Sequence, residues 1–153
     1  MSPNIEKVHG DFIVREYREG DYEKIADLWQ QTEMGNPQRG DDARMIMDSI
    51  SIGGSMLILE EKKSGKVCGT SWMTFDGRRI HLHHFGILPD HQGKGLANIL
   101  LKESLKFVKT MGYQVKLEVH NSNIKAISLY KKFGFTRLGD YEVYIIRDID
   151  KIH

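Results

Sequence analysis

The sequence predicts a mixed α/β fold in which helices cover both faces of a central sheet of about seven strands. Three features predict it: segments that alternate as strands do, longer segments with the helical period of about 3.6 residues, and a glycine-rich turn that joins a strand pattern to a helix pattern. The predicted order is β-α-α-β-β-β-α-β-α-β-β. We expect one domain over residues 1–153, with its core at about 12–147.

One strand and two helices are predicted first. Phe12–Tyr17 alternates as a short strand, and Asp21 stands where it can cap a helix with an apolar face. Asp41 or Asp42 can cap a second helix, which ends at Gly53. The side chains of this second helix that we expect to face the core are Met45, Ile46 and Ile50.

Three antiparallel strands are predicted next. Ser55–Glu61 and Lys66–Phe75 have strand patterns, and Ser64 and Gly65 supply the turn that joins them into a hairpin. A second turn leads to a strand over Arg79–Leu88. The pattern of this third strand stops shortly before the glycine-rich turn, so the turn is expected to follow the end of the strand.

A helix and a parallel strand follow the glycine-rich turn. The apolar period predicts a helix over Leu96–Met111, and Gln114–His120 alternates as a strand. Because a helix crosses between them, this strand and the strand before the turn are expected to run parallel. Asn123 is expected to cap a last helix. The predicted terminal hairpin then pairs Phe135–Leu138 with Glu142–Arg147.

Composition limits the classes of protein to which the chain can belong. The 153 residues are 40% apolar and 28% charged, the formal net charge is +1, and no segment approaches the ~20 apolar residues of a membrane span. We therefore expect neither nucleic acid nor membrane as a partner. The single cysteine, Cys68, and a start without a signal-like apolar run lead us to expect a cytoplasmic protein.

The glycine-rich turn is typical of an anion-binding site. Its residues are Gln92, Gly93, Lys94, Gly95, Leu96 and Ala97. The first backbone N–H groups of a helix have no partner within the helix and lie at the positive end of its dipole. A Walker-type loop would need Ser or Thr after Lys94, where Gly95 stands, so that interpretation fails. A dinucleotide fingerprint would need Gly or Ala at Asn98 and is matched weakly.

Two motifs resemble those of one enzyme family. Gln92, Gly95 and Ala97 match a pyrophosphate-binding loop with the pattern Gln or Arg, two residues, Gly, one residue, then Gly or Ala. The segment from Leu117 to Phe135 is similar to the signature LEV…N..AI.LY...GF, which follows that loop in the same family. On these motifs the chain resembles the GCN5-related N-acetyltransferase (GNAT) family over about residues 12–147.

The resemblance implies the GNAT fold, the reaction and the cosubstrate. Acetyl-coenzyme A (acetyl-CoA) would lie in an opening between two parallel strands, with its pyrophosphate on the glycine-rich loop. An acetyl group would pass by direct attack in a ternary complex to a primary amine, either of a small molecule or of a protein or peptide N-terminus. The implied acetyl-CoA-binding residues outside the loop are Phe85, Gly86, Ile87, Asn123 and Tyr130.

Amide formation from a thioester needs a neutral amine, donors to the oxyanion and a proton for the departing thiolate. Tyr130 resembles the family's general acid, and the N–H of Ile87 is our candidate oxyanion donor. As general base we rank Glu118 first, then His83 and then His81, two histidines that share one strand face. A histidine at its reference pKa of ~6.5 needs no shift for this role, whereas Glu118 needs partial burial or a water relay.

Other interpretations stay open. If Tyr130 is only a core aromatic residue, the chain would be a catalytically silent acyl-CoA-binding or sensing domain. His81, His83 and His84 invite a zinc hydrolase, but no third ligand with metal-site spacing follows them, so we expect no metal. Cys68 lacks an adjacent base, which argues against a covalent intermediate. The chain can be a monomer or a homodimer, and its acceptor is not identified by the sequence.

Overall fold

The computed structural model describes residues 6–35 and 40–153, which form one six-stranded sheet and four α-helices. The strands, which pair in sequence order, are β1 Glu6–His9, β2 Phe12–Glu16, β3 Ser55–Glu61, β4 Val67–Phe75, β5 Ile80–Ile87 and β6 Val115–Leu117. The helices are α1 Tyr22–Gln31, α2 Ala43–Ser51, α3 Leu96–Met111 and α4 Ile124–Lys132. Neighbouring strands are antiparallel, except that β5 and β6 run parallel. The predicted mixed α/β fold class is confirmed.

The chain forms two compact units. The first ends at His120 and contains the whole sheet and α1 to α3, while the second, Asn121–His153, contains α4 and a short 3-10 helix over Ile149–Lys151. The single domain stays a prediction. Among the helices of the described ranges, none is long and apolar enough to cross a membrane.

The core of the first unit lies on both faces of the sheet. Trp29 of α1 donates through Nε1 to Thr70 Oγ1 at 2.9 Å, and Ser104 of α3 hydrogen-bonds Ser71 at 2.7 Å. Because consecutive residues of a strand point to opposite faces, α1 and α3 cover opposite faces of β4. This explains why β3 and β4 are nearly continuous apolar segments whose side chains are buried on both sides.

The first strand, β1, was not expected from the sequence. It pairs antiparallel with β2 around a turn at Gly10 and Asp11, with His9 opposite Phe12. Gly10 has a φ of 60°, which suits a tight hairpin. Since Val8 of β1 is 59% exposed, the strand buries too little apolar surface to show in the sequence pattern.

The predicted terminal hairpin is wrong. The turn at Gly139 and Asp140 is present, but neither Phe135–Leu138 nor Glu142–Arg147 is a strand in the structure. Apolar side chains of this segment are exposed, Tyr144 by 89%. Alternation supplies a strand pattern, but a stable strand also needs a backbone partner and a face to bury, and this segment buries no apolar face. Without these two predicted strands and with the unpredicted β1, the sheet has six strands instead of the predicted seven.

Two aspartates precede α-helices, and only one of them caps its helix with its side chain. The Asp42 carboxylate accepts from the Met45 N–H at 2.9 Å and caps α2, as predicted. Asp21 precedes α1, but its carboxylate accepts two hydrogen bonds from the buried Arg15 guanidinium and does not cap the helix.

The inner face of α2 differs from the prediction. Met45, expected in the core, is 48% exposed, and Ser49 is buried on the inner face of α2. The Trp72 indole N–H explains this, because it donates to the Ser49 hydroxyl at 2.8 Å.

Candidate active site

The glycine-rich loop reaches α3 through left-handed backbone. Gly93 and Gly95 have φ values of 79° and 77°. A Cβ at either position would meet no atom within 4 Å, so crowding does not exclude a side chain here. Glycine is favoured at both positions because of the positive φ. Gly95 is the N-cap of α3, and residues 92–95 are exposed. The first N–H groups of this long helix therefore lie beside an uncrowded surface loop, which is the geometry of an anion site.

The side chain of Gln92 fixes the base of this loop. Its Nε2 donates to the Ile87 carbonyl oxygen at 3.0 Å, which ties the loop back to the end of β5. A 3-10 helix, Pro89–His91, connects the two. The predicted contact of Gln92 with the cofactor stays a prediction, and in the structure its side chain braces the loop against the backbone.

The parallel strands β5 and β6 part before they reach the loop. They pair from Ile80 opposite Val115 as far as Leu82 opposite Leu117, and β6 ends there instead of continuing to His120 as expected. β5 continues to Ile87 with β4 on its other side. In the described chain no strand pairs with β5 on the β6 side beyond Leu82. The opening leads along β5 toward the glycine-rich loop, and Phe85, Gly86 and Ile87 line its far end.

A β-bulge interrupts the β4–β5 ladder at this opening. Thr70 pairs with Gly86 and Trp72 with His83, so two residues of β5 lie opposite one residue of β4. His84 has a φ of 43°, a left-handed backbone that is uncommon for a residue with a side chain. Thr70 Oγ1 donates to the His84 carbonyl oxygen at 2.8 Å and holds the bulge. The sequence signal is the doubled histidine at 83 and 84, which breaks the alternation of the strand.

His81 and His83 lie on one side of β5, as expected from their spacing. Their rings stack with centroids 4.2 Å apart. His81 Nε2 lies 3.9 Å from Glu118 Oε1, and His83 Nε2 is hydrogen-bonded to Thr74 Oγ1 at 2.9 Å. The structure therefore brings together the three candidates for the general base, and Thr74 is a site residue that the sequence did not reveal.

The pKa values of the histidines change the ranking of these candidates. Burial lowers the pKa of His83 to about 4, with further lowering by His81 and His84. Burial, followed by the positive charge of Lys116, also lowers the pKa of His81. The expectation of an unshifted histidine is therefore wrong for both residues. Glu118 does not have the partial burial that its role was expected to need, because its side chain is 58% exposed.

His84 occupies a different environment. Its Nε2 lies 3.3 Å from Asp41 Oδ2, and its ring packs at centroid distances of 4.5 Å from Trp29 and 5.3 Å from Trp72. His83, in contrast, is held by Thr74. The three histidines therefore have different partners and do not form the zinc arrangement considered from the sequence.

Asn123 and Tyr130 belong to the second unit. The Asn123 side chain accepts from the Ala126 N–H at 3.2 Å, so it caps α4 as predicted. Tyr130 is 9% exposed and packs against Phe135 with ring centroids 5.6 Å apart. Burial raises the pKa of Tyr130 to about 12, so the phenol is protonated at neutral pH. The cofactor and acid roles of these residues stay predictions.

Cys68 is fully buried in β4, and burial raises the pKa of its thiol. Its Sγ donates to the Lys66 carbonyl oxygen at 3.4 Å. A thiol that is both neutral and enclosed is a poor nucleophile. The structure agrees with the expectation that Cys68 forms no acetyl-enzyme.

Comparison with known proteins identifies the family. The family model described as "Acetyltransferase (GNAT) family" matches residues 16–135. The chain belongs to the GNAT acetyltransferase family. A curated relative of this GNAT protein, acetyltransferase SG1711 of Sodalis glossinidius (strain morsitans), is 28% identical over 123 residues, which are 80% of this chain and 85% of the relative.

Solved structures of acetyltransferases share the fold of this GNAT protein. An acetyltransferase from Streptococcus agalactiae 2603 matches with a TM-score of 0.74 and 20% identity, covering 92% of this chain and 94% of its own. AAC(6')-Iy in complex with the bisubstrate analog CoA-S-monomethyl-acetylneamine matches with a TM-score of 0.72 and 15% identity, covering 92% of this chain and 100% of its own. At these identities the similarity shows the fold.

Proposed function

We propose that this GNAT protein transfers an acetyl group from acetyl-CoA to a primary amine by direct attack in a ternary complex. The observation that carries the proposal is the continuity between the opening beside β5 and the glycine-rich loop at the start of α3. One end offers strand backbone to an extended ligand arm, and the other offers helix N–H groups to phosphates. Acetyl-CoA has both parts, an extended pantetheine arm and a pyrophosphate.

The residues of the opening and the loop have separate roles in this proposal. Phe85, Gly86 and Ile87 present backbone groups to the pantetheine arm and the thioester, and the N–H of Ile87 is the proposed oxyanion donor. The loop binds the pyrophosphate, with Gly93 and Gly95 allowing close approach of the backbone. Its remaining proposed cofactor contacts are Gln92, Lys94, Leu96, Ala97 and, outside the loop, Asn123.

The reaction forms a C–N bond, breaks the C–S bond and moves one proton from the amine to the thiolate. We keep Glu118 as the first candidate to accept the amine proton, because the pKa of His83, about 4, removes the advantage expected for a histidine. Tyr130, with its pKa raised to about 12, is a weaker acid than a thiol of reference pKa ~8.5. We therefore propose that the phenol of Tyr130 stabilises the departing thiolate by donating a hydrogen bond to it. The phenol transfers its proton to the thiolate only in step with the loss of a proton from the amine.

The cosubstrate site can be tested with two matched glycine variants. Gly95 and Gly112 are the caps at the two ends of α3, with φ values of 77° and 79°, and a Cβ meets no atom within 4 Å at either. Gly95→Asp and Gly112→Asp therefore add similar backbone strain, but only Gly95→Asp puts negative charge where phosphate is expected. We expect Gly95→Asp to weaken acetyl-CoA binding at least ~10-fold in calorimetry and Gly112→Asp to leave it unchanged.

Turnover requires a separate assay, because binding alone would also suit a catalytically silent domain. Release of free thiol from acetyl-CoA should depend on an added amine from a panel of polyamines, aminoglycosides, amino acids and peptides. Tight acetyl-CoA binding without turnover across that panel would favour the silent domain. Equal acetyl-CoA affinity in the two folded glycine variants would contradict the placement of the pyrophosphate.

A further inference from the structure

Glu61, Cys68 and His91 lie together at the turn end of the β3–β4 hairpin. One possible ligand atom from each lies within 4.8 Å of the other two. Glu61 ends β3, Cys68 lies at the start of β4, and His91 ends the 3-10 helix that precedes the glycine-rich loop. None of the three has a role in the proposed acetyl transfer.

His91 lacks the hydrogen bonds that a buried imidazole normally has. The residue is 9% exposed, and its Nδ1 has no hydrogen-bond partner among the residues that the structure describes. Its Nε2 lies 3.6 Å from Glu61 Oε2, which is longer than a hydrogen bond. Nε2 is the ring nitrogen that faces Glu61, so an ion held between these two side chains would bind Nε2 and leave Nδ1 to water.

The other two side chains are held in place around His91. The Ser64 hydroxyl donates to Glu61 Oε1 at 3.0 Å, which leaves Oε2 directed toward His91. The His91 ring packs edge-on against Phe12, with centroids 6.3 Å apart. Cys68 is fully buried. Outer contacts of this kind orient metal ligands in known sites.

We propose that Glu61, Cys68 and His91 bind a divalent transition-metal ion of the zinc type. Thiolate, imidazole and carboxylate are the protein ligands of Zn²⁺, at bond lengths of ~2.0–2.3 Å, and a tetrahedral ion holds such atoms ~3.3–3.8 Å apart. The 3.6 Å between His91 Nε2 and Glu61 Oε2 already lies in that range. The Glu61 side chain is 34% exposed, so an ion has a route from solvent and water can take the fourth position.

The ion also supplies the charge that makes Cys68 a ligand. A buried thiol resists ionisation, but a coordinated thiol loses its proton to solvent. The thiolate and the Glu61 carboxylate together balance the two positive charges of the ion. A metal at this position connects the turn end of the hairpin to the 3-10 helix before the glycine-rich loop.

Cobalt titration tests the site directly. Co²⁺ added to the reduced, metal-free protein should give a thiolate-to-cobalt charge-transfer band and tetrahedral d–d bands that saturate at one equivalent. Cys68→Ser should abolish the charge-transfer band, and Glu61→Gln and His91→Gln should each weaken binding at least ~10-fold. His120→Gln, which changes an exposed histidine, is the control and should leave the titration unchanged.

Thermal unfolding provides a second measurement on the same proteins. Zn²⁺ should raise the Tm of the parent and of His120→Gln but not that of Glu61→Gln. Glu61 is partly exposed, so Glu61→Gln is expected to fold. The proposal is overturned if the parent shows no thiolate-to-cobalt band, or if Glu61→Gln and His91→Gln bind Co²⁺ as tightly as the parent does.

Discussion

Two polar clusters of the first unit differ in how completely their groups are paired. Arg15 is 4% exposed, and its guanidinium donates to Asp21, to Glu60 and to the Glu16 carbonyl oxygen. His81 and His83 are partly buried, and His81 Nε2 lies 3.9 Å from Glu118 Oε1. A closed, fully paired cluster serves stability, whereas an open and incompletely paired cluster remains available to a substrate.

The two clusters also shift pKa values in opposite ways. The hydrogen bonds that Arg15 donates to Asp21 raise the pKa of Arg15, and the one to Glu60 adds to this effect against the cost of burial, so the cluster favours the charged guanidinium. Burial lowers the pKa of His83 and of His81, so the second cluster favours neutral groups. A neutral imidazole with a pKa of about 4 accepts a proton only weakly, and a permanently charged guanidinium does not accept one.

The largest expected effect separates buried from exposed ion pairs. Arg15→Met leaves Asp21 and Glu60 without their counter-charge, and we expect the free energy of unfolding in urea to fall by about 3–5 kcal/mol. The matched control is Arg18→Met, whose side chain is 62% exposed and lies 3.2 Å from Glu6. That variant should lose at most about 1 kcal/mol. If Arg15→Met also lowers the free energy of unfolding by at most about 1 kcal/mol, the buried cluster behaves as a surface ion pair.

A smaller effect should separate the candidates for the general base. We expect Glu118→Gln to lower kcat/KM about 10²-fold with the best acceptor while leaving the unfolding free energy unchanged, because its side chain is exposed. His83→Gln should lower kcat/KM less and keep the acidic limb of the pH profile. If Glu118→Gln keeps both rate and acidic limb while His83→Gln loses them, the base lies on β5.

The smallest expected effect is a pH dependence of stability that comes from His83. Its pKa is about 4 in the folded protein and ~6.5 when unfolded, so the unfolded chain binds more protons between these values. The stabilisation is fully present above pH ~6.5 and is lost as pH falls toward ~4. Between pH 7 and 4.5, His83→Gln should lose about 2 kcal/mol less unfolding free energy than the parent. His153→Gln, which changes an exposed residue, should follow the parent, and an equal slope in His83→Gln would contradict the lowered pKa.

Local sequence was enough to predict some elements correctly. The helix α3 spans Leu96–Met111 as predicted, with glycines in left-handed backbone at both of its caps. Asp42, one of the two residues predicted as a cap of α2, and Asn123, in the segment predicted to cap α4, are the observed caps. These features depend on residues within a few positions of one another, so the sequence carries all the information that they need.

Features that depend on distant parts of the chain could not be predicted in this way. The left-handed backbone of His84 follows from the register of β4 on β5 and from the hydroxyl of Thr70. The lowered pKa of His83 follows from burial, which no local pattern specifies. Glu61, Cys68 and His91 come from three separate elements, so no spacing in the sequence indicates that they meet.

The sequence by itself therefore determined the fold class, the family motifs and the glycine-rich turn before α3 of this protein. Those properties rest on periodicity, on turn residues and on contiguous motifs, which are local. Tertiary structure alone decided which polar groups are buried, that His81 lies beside Glu118, and that residues 135–147 form no strand. The physical reason is that burial, register and electrostatic environment are set by contacts between elements, and the same local pattern is compatible with many such contacts.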